Sequence, residues 1–174
     1  MRKSALLCTL ALAASASCFA QEEGRVEITW EEPKSYTDIR PANETRARFR
    51  KRVFANLEKY MEHLSEDLPE GYSLSMTVTD VDLAGQVWPS RFAGFGAGAA
   101  DVRIIDRPWI PRMDFSYSLS DADGNEIKTA EVSLKDMVFQ DRIVSRRNSD
   151  AFVYEKAMLK DWFGKEFGDQ IVKN

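Results

Sequence analysis

The first twenty residues constrain this chain most, because they have the layout of a secretory leader. Arg2 and Lys3 give a positive start, an apolar run extends over 5–16, and the small residue Ala20 precedes a polar, acidic stretch. This order of charged start, short apolar run and small residue is typical of a signal peptide. The run is too short to cross a membrane, which takes roughly 20 apolar residues. We therefore expect a signal peptide over residues 1–20.

Cleavage also decides which chemistry the mature chain retains. A cut after Ala20 is expected, with a cut after Ala16 as the alternative; the first removes both cysteines, Cys8 and Cys18. Removing 20 of the 174 residues leaves 154, enough for the single domain that we expect over 21–174 to fold without disulfides. We expect a periplasmic protein with no transmembrane segment after cleavage. A lipid anchor on Cys18 is the alternative, although the large aliphatic residue usual before a lipidated cysteine is missing.

The charge balance argues against one class of partner. Without Arg2 and Lys3, the 24 basic residues fall to 22 against 28 acidic ones, a formal net charge of −6. Sequence-independent nucleic-acid binding depends on neutralising phosphates with an excess of cations. We therefore expect no nucleic-acid partner.

Hydrophobic periodicity predicts the secondary structure. Four stretches alternate apolar and polar residues, the period of a half-buried strand: 26–30, 74–78, 113–119 and 130–134. The stretch 102–105 predicts a short edge strand, and Asp-Gly within 121–125 predicts a hairpin turn. A calcium loop there is excluded, because Leu119 and Ala130 would occupy its first and last ligand positions.

Helical spacing of apolar residues predicts two helices. The first runs from Asn43 or Thr45 to Leu64, and the second covers about 150–167. The order strand, helix, strand, possible strand, hairpin, helix predicts an α+β fold. We expect an antiparallel sheet of about four to five strands with both helices packed on one face.

The start of the first predicted helix is rich in arginine: Arg40, Arg46, Arg48, Arg50 and Arg52. Cations at a helix N-terminus oppose its dipole, at a cost of ~0.3–1 kcal/mol. A negative charge should therefore offset them, and Asp38 and Glu44 are nearby in the sequence. Internal ion pairs are the favoured interpretation, and an external anion bound by Arg40, Arg46 and Arg50 is the alternative.

Two further stretches contain candidate binding residues. Asp80 and Asp82 lie two apart, so on an extended strand they point the same way and could bind a cation or transfer a proton. The simpler interpretation is that they end a strand and face solvent.

The long irregular stretch 84–100 contains the second set, Trp88, Arg91, Phe92 and Phe95. Loops of this length are often functional, and exposed aromatic side chains suit a partner protein, a glycan or a lipid surface. The competing interpretation folds the aromatic rings back over the sheet.

The sequence shows no catalytic nucleophile motif, phosphate loop or metal-ligand spacing. With no mature cysteine and one histidine, His63, the common zinc ligand sets cannot be formed. We expect no catalytic residues, no metal and no cofactor.

Several longer stretches carry a resemblance. The chain resembles the domain-of-unknown-function 3016 family of exported bacterial proteins at VEITW (26–30), YTDIRP (36–41), TDVDLAG (79–85), DFSY (114–117), LKDM (134–137), YEK (154–156) and DWF (161–163). The resemblance spans nearly the whole mature chain and implies an exported protein of one domain. It implies no reaction, cofactor or catalytic residue.

Three functional hypotheses follow. The leading one is a non-enzymatic envelope protein that binds another envelope protein or an envelope polymer. The second is a hydrolase of an envelope polymer, with Asp80 and Asp82, or Glu131 and Asp136, as acid and base. The third is a carrier with a small-ligand pocket between helices and sheet.

Overall fold

A computed structural model describes residues 25–94, 99–141 and 151–171. Its elements in chain order are β1 (Val26–Trp30), α1 (Arg46–Ser65), β2 (Ser73–Asp82), β3 (Gln86–Trp88), β4 (Val102–Ile104), β5 (Arg112–Ser120), β6 (Glu126–Lys135) and α2 (Val153–Glu166). A single 3-10 turn, Phe139–Asp141, follows β6. The predicted leader, Phe95 and the predicted start of the second helix at residue 150 lie outside the described residues.

The main sheet has the strand order β1-β2-β5-β6. The α+β prediction is confirmed, with one correction: the sheet is mixed, because β1 pairs with β2 in parallel while the other two pairings are antiparallel. The physical reason lies in the connection. Parallel neighbours need a crossover, and α1 supplies it between β1 and β2, whereas β5 and β6 are joined by a tight turn.

The hairpin turn forms as its sequence predicts. The Asp121 carboxylate accepts hydrogen bonds from the backbone amides of Asp123 and Asn125, both at 2.9 Å. Gly124 adopts φ +80°, the left-handed conformation that glycine takes without steric cost. The turn fixes the register of the β5–β6 pair.

The sheet has one covered and one open face. On the covered face β2 and β5 alternate buried residues with polar ones, and the buried set is Leu74, Met76, Val78, Val81, Met113, Phe115, Tyr117 and Leu119. Both helices pack there, α1 through Phe49, Val53, Leu57, Met61 and Leu64 and α2 through Met158, Leu159, Trp162 and Phe163. The other face presents mainly Ser, Thr and acidic side chains to solvent.

Helix α1 begins where a capping residue allows it. The Thr45 hydroxyl accepts a hydrogen bond from the Arg48 amide at 3.4 Å, so Thr45 is the N-cap, one of the two residues that the sequence indicated. Helix α2 begins differently. The residue before it, Phe152, has φ +62° and makes no capping hydrogen bond through its side chain.

A two-stranded ribbon of β3 and β4 stands beside the main sheet. The sequence predicted β4 as an edge strand but left β3 within an irregular stretch. Gly85 permits the ribbon to form: a Cβ at this position would lie 2.3 Å from the Ile104 carbonyl oxygen, and φ is +77°. Such close backbone approach leaves room for glycine alone.

Candidate functional site

A cleft of about 360 Å³ opens where three parts of the chain meet on the helix-covered side. The contributing segments are the loop and first turns of α1, the end of β2 with β4, and the start of α2. The lining residues are Arg40, Ala42, Asn43, Glu44, Phe49, Arg52, Leu83, Ala84, Arg103, Ile105, Phe152, Val153, Tyr154 and Glu155. We call this the interhelical cleft. Its size falls within the range of small-molecule sites.

Arg103 of β4 is the polar centre of the cleft wall. Its Nη1 lies 3.0 Å from Asp38 Oδ2, and the two side chains are only 19% and 14% exposed. The guanidinium also donates to three carbonyl oxygens, those of Ala84, Gly85 and Arg40, at 2.9–3.2 Å. Arg103 therefore fastens the ribbon to the end of β2 and to the loop before α1. Its fork of donors suits several acceptors at once.

Glu155 is the buried carboxyl of the cleft. It lies in the first turn of α2, is 4% exposed, and its Oε1 accepts the Ala84 amide at 2.7 Å. Burial raises the pKa of this carboxyl, the hydrogen bond from Ala84 and the nearby Arg103 oppose the rise, and Asp82 adds to it. A buried carboxyl with a raised pKa can keep a proton that a surface glutamate would lose.

Two aromatic rings form the apolar wall. Phe49 and Phe152 meet edge to face with 6.1 Å between ring centroids. The Arg52 guanidinium lies over both rings, at 5.1 and 5.7 Å, and donates to Glu44 Oε1. Phe152 holds this position in a left-handed backbone conformation that costs roughly 1–2 kcal/mol for a residue with a Cβ. Strained residues of this kind cluster at functional sites.

A second, smaller cleft of about 250 Å³ is also lined by Arg40 and contains Asp82. Asp38 and Asp82 face each other as an isolated parallel bridge at the end of β2. Burial and then the charge of Asp38 raise the pKa of Asp82 to about 6, while Arg112, with its Nε 3.9 Å from the carboxylate, lowers it. The Asp82 carboxyl therefore keeps its proton to higher pH than an ordinary aspartate does.

The five arginines before and within α1 divide into two groups. Arg48 and Arg52 lie within ion-pair distance of Glu44, as the internal interpretation predicts, whereas Asp38 pairs with Arg103 instead. The others, Arg40, Arg46 and Arg50, have no ion pair among the residues that the structure describes. Of these three only Arg40 lines the interhelical cleft.

Asp80 and Asp82 point to the open face because of a β-bulge. The register of β2 against β5 shifts between Val78 and Asp80, so Val78 and Val81 both reach the core. Both oxygens of Asp80 accept hydrogen bonds from Thr37, through its amide and its hydroxyl, each at 2.6 Å. Asp80 therefore anchors the loop after β1, and it does not line the cleft that contains Asp82.

In the aromatic stretch after β2, one ring is folded back and another is exposed, so each of the two interpretations holds in part. Trp88 is folded back: its ring meets Trp109 edge to face at 5.9 Å, and its indole nitrogen is buried. Phe92 is 63% exposed, with the Arg91 guanidinium 4.8 Å from its ring centre. Phe95, the third aromatic residue of this stretch, lies outside the described residues.

The other candidate acids and the histidine lie apart. Glu131 lines a groove on the open sheet face, and Asp136 is buried after β6, where its Oδ1 accepts the Val138 amide. His63 Nδ1 lies 3.0 Å from Glu66 on the exposed side of α1. Across the described ranges no group of three or more His, Cys, Asp or Glu side chains is arranged to hold a metal ion.

Sequence reasoning missed three residues of the interhelical cleft: Arg103, Phe152 and Glu155. Arg103 is the sole charged residue within the predicted edge strand 102–105. A lone charge among apolar residues was a signal that its side chain has polar partners inside the fold. Glu155 fell within the predicted second helix, next to Lys156, and was assigned no role. No signal in the sequence indicates the left-handed conformation of Phe152.

The sequence comparisons bear on this fold. Residues 24–165 match the model of a family described as a protein of unknown function, DUF3016. The chain belongs to this family. The match confirms the resemblance and covers every element of the cleft, including the first turns of α2. No curated protein and no solved structure matches the chain. In the parts that the structure describes, no helix combines the length and apolarity that a membrane span requires.

Proposed function

We propose that this DUF3016 protein is exported to the periplasm and acts there as a non-enzymatic binding module, with the interhelical cleft as its binding site. The observation that carries the proposal is the composition of the cleft. Apolar walls, a buried polar floor and one arginine without an ion pair among the described residues surround a volume of about 360 Å³. Such a mixture of apolar surface and a few placed polar groups is typical of ligand sites.

Export is supported by the residues before the domain. The leader layout of residues 1–20 is typical of a signal peptide, and the family match starts at residue 24. The partner we expect is a component of the envelope. A group of small-molecule size fits the cleft, either as a free ligand or as the end of an envelope polymer or protein chain.

The alternative of a carboxylate hydrolase has weaker support. Such an enzyme needs two carboxyl groups that flank the substrate, one free to act as the acid and the other as the base or nucleophile. Asp80 has both oxygens engaged by Thr37, and Glu131 and Asp136 lie in different surroundings. Binding is therefore the function that the geometry supports best.

Native mass spectrometry of the protein from a periplasmic extract tests the proposal. We expect a mature chain that begins at Gln21 and carries a non-covalent adduct. Ala42→Trp, which fills the cleft, should lose the adduct, and Ala47→Trp should retain it because Ala47 is exposed on α1 outside the cleft. A chain that keeps Met1 in the cytosol would contradict export. The same adduct on both variants would contradict the cleft as its site.

A further inference from the structure

We infer that the ligand of the interhelical cleft is a small organic acid, whose carboxylate binds Arg40 and whose apolar body packs against Phe49 and Phe152. This inference deepens the proposed function and rests on it.

The charges of the lining favour an anion. Three arginines and two glutamates line the cleft. Arg52 is paired with Glu44, and Arg103 is paired with Asp38 and bound to three carbonyl oxygens. Within the described chain, Arg40 is thus the lining cation that lacks a carboxylate partner, and its side chain is exposed. A carboxylate can bind a guanidinium through two parallel hydrogen bonds.

The walls and the volume favour a short apolar body. Phe49, Leu83, Ile105 and Phe152 offer ring and aliphatic surface on several sides. A volume of about 360 Å³ corresponds to roughly a dozen water molecules at ~30 Å³ each. Ten non-hydrogen atoms, as in octanoate, fit this space, whereas a long-chain fatty acid does not.

The floor makes binding of an acid sensitive to pH. Glu155 is buried beside the cleft, so its ionised form would repel a bound carboxylate. The charged groups around it are Arg103 and Asp82, which act on it directly, and Arg40, Arg52 and Glu44 of the lining. The next residue, Lys156, lies over the Tyr60 ring, 5.6 Å from its centre.

Because burial raises the pKa of Glu155, its neutral form is retained to higher pH than in water. An anionic ligand therefore binds the state with protonated Glu155. Its affinity should fall by up to about tenfold per pH unit above that pKa.

Calorimetric titration of the mature protein with octanoate, octan-1-ol and octylamine tests the inference. At pH 7 octanoate should bind at least about tenfold more tightly than the other two. Each methylene added from hexanoate to octanoate should raise affinity by about fourfold. Arg40→Gln should lower the affinity for octanoate by about tenfold and leave the affinity for octan-1-ol unchanged. Arg46→Gln is the matched control, since Arg46 is equally exposed and lies outside the cleft.

A second variant tests the floor. In Glu155→Gln the side-chain oxygen can still accept the hydrogen bond from the Ala84 amide, but the side chain cannot ionise. The variant should bind octanoate at least as tightly as the wild type, and its affinity should no longer decline as the pH rises. An unaltered decline in this variant would overturn the role of Glu155.

Two outcomes would contradict an organic acid as the ligand without contradicting the cleft as a binding site. An equal loss of octanoate affinity in Arg40→Gln and Arg46→Gln would contradict binding of the carboxylate at Arg40. Tight binding of octylamine or octan-1-ol, abolished by Ala42→Trp, with no binding of octanoate, contradicts the acid and leaves the cleft as a binding site. If the native adduct is also absent, the proposed function fails as well.

Discussion

The two ends of α2 pack in opposite ways. At its C-terminal end, Trp162, Phe163 and Phe167 contact one another and the rings of Phe115 and Tyr117, with centroid distances of 4.8–6.3 Å. We call this the aromatic cluster. At the N-terminal end the helix meets the interhelical cleft, with a left-handed residue, a buried carboxyl and a partly buried ion pair.

The difference indicates that one end of α2 stabilises the fold and the other end forms the binding site. Burial of apolar side chains stabilises the fold at one end. The other end carries two features that reduce stability. Burial of a carboxyl removes it from water, and a residue other than glycine at positive φ is sterically strained. A short segment that keeps such features around a cleft is typical of a binding site. The following predictions test this contrast.

Phe167→Ala should give the largest effect. Phe167 is fully buried and touches three other aromatic rings, so truncation leaves a cavity and should cost about 4 kcal/mol of unfolding free energy. Urea denaturation measures the change. Phe92→Ala, at a ring that is 63% exposed, should change stability by less than about 0.5 kcal/mol. Similar losses in the two variants would refute the aromatic cluster as the main stabilising region.

Arg103→Met should come second, with a loss of about 3 kcal/mol. The substitution leaves Asp38 without its ion pair and removes the donor to three carbonyl oxygens. The control is Arg107→Met, which breaks an exposed pair with Asp141 and should cost under about 0.5 kcal/mol. Equilibrium unfolding of both proteins measures the difference. Equal stability of the two would show that Arg103 does not fasten the cleft.

The backbone of Phe152 can be tested with a pair of substitutions. Phe152→Ala and Phe152→Gly lose the same ring contacts, but only glycine adopts φ +62° without a steric penalty. We expect the glycine variant to be the more stable of the two by about 1 kcal/mol, as measured by thermal unfolding. If the alanine variant is as stable as the glycine variant, the residue is not strained and the contrast between the helix ends weakens.

Substitution of Asp82 should change stability about as little as the Phe152 pair differs, and its effect should depend on pH. The pKa of Asp82 in the folded protein, about 6, lies above the unfolded value of 3.8, so the native state binds more protons between these values. Stability due to this group therefore falls as pH rises from about 4 through 6 and stays reduced above 6. Asp82→Asn should abolish this decline and add about 1 kcal/mol at pH 7, a figure reduced for solvent screening.

Stability curves measured from pH 4 to pH 8 check this prediction. Asp80→Asn is the contrasting variant, because it weakens two hydrogen bonds to Thr37 and should lower stability at pH 7. A steeper decline in Asp82→Asn than in the wild type would contradict the assigned sign.

Much of the fold could be predicted because its signals are local. Alternation along β5 and β6 and the Asp-Gly turn between them determine the hairpin, and the stripe from Phe49 to Leu64 determines α1. The parallel pairing of β1 with β2 has no local signal. It depends on where a helix of twenty residues returns the chain, which periodicity does not show.

The candidate site was less predictable because it depends on contacts between distant residues. Arg40 was selected for its charge and does line the cleft, but its neighbours Arg103 and Glu155 come from more than sixty residues further along the chain. Asp80 and Asp82 look equivalent in the sequence. The bulge before them and the loop at Thr37 give them different surroundings.

Amide hydrogen exchange with and without octanoate tests the central claim most directly, namely that the N-terminal end of α2 is the binding end. We expect the Ala84 amide and the amides of residues 153–157 to exchange faster than those of 160–166 in the free protein. Octanoate should slow the first group and leave the second unchanged. Protection spread evenly along α2, or confined to the open sheet face, would contradict the account.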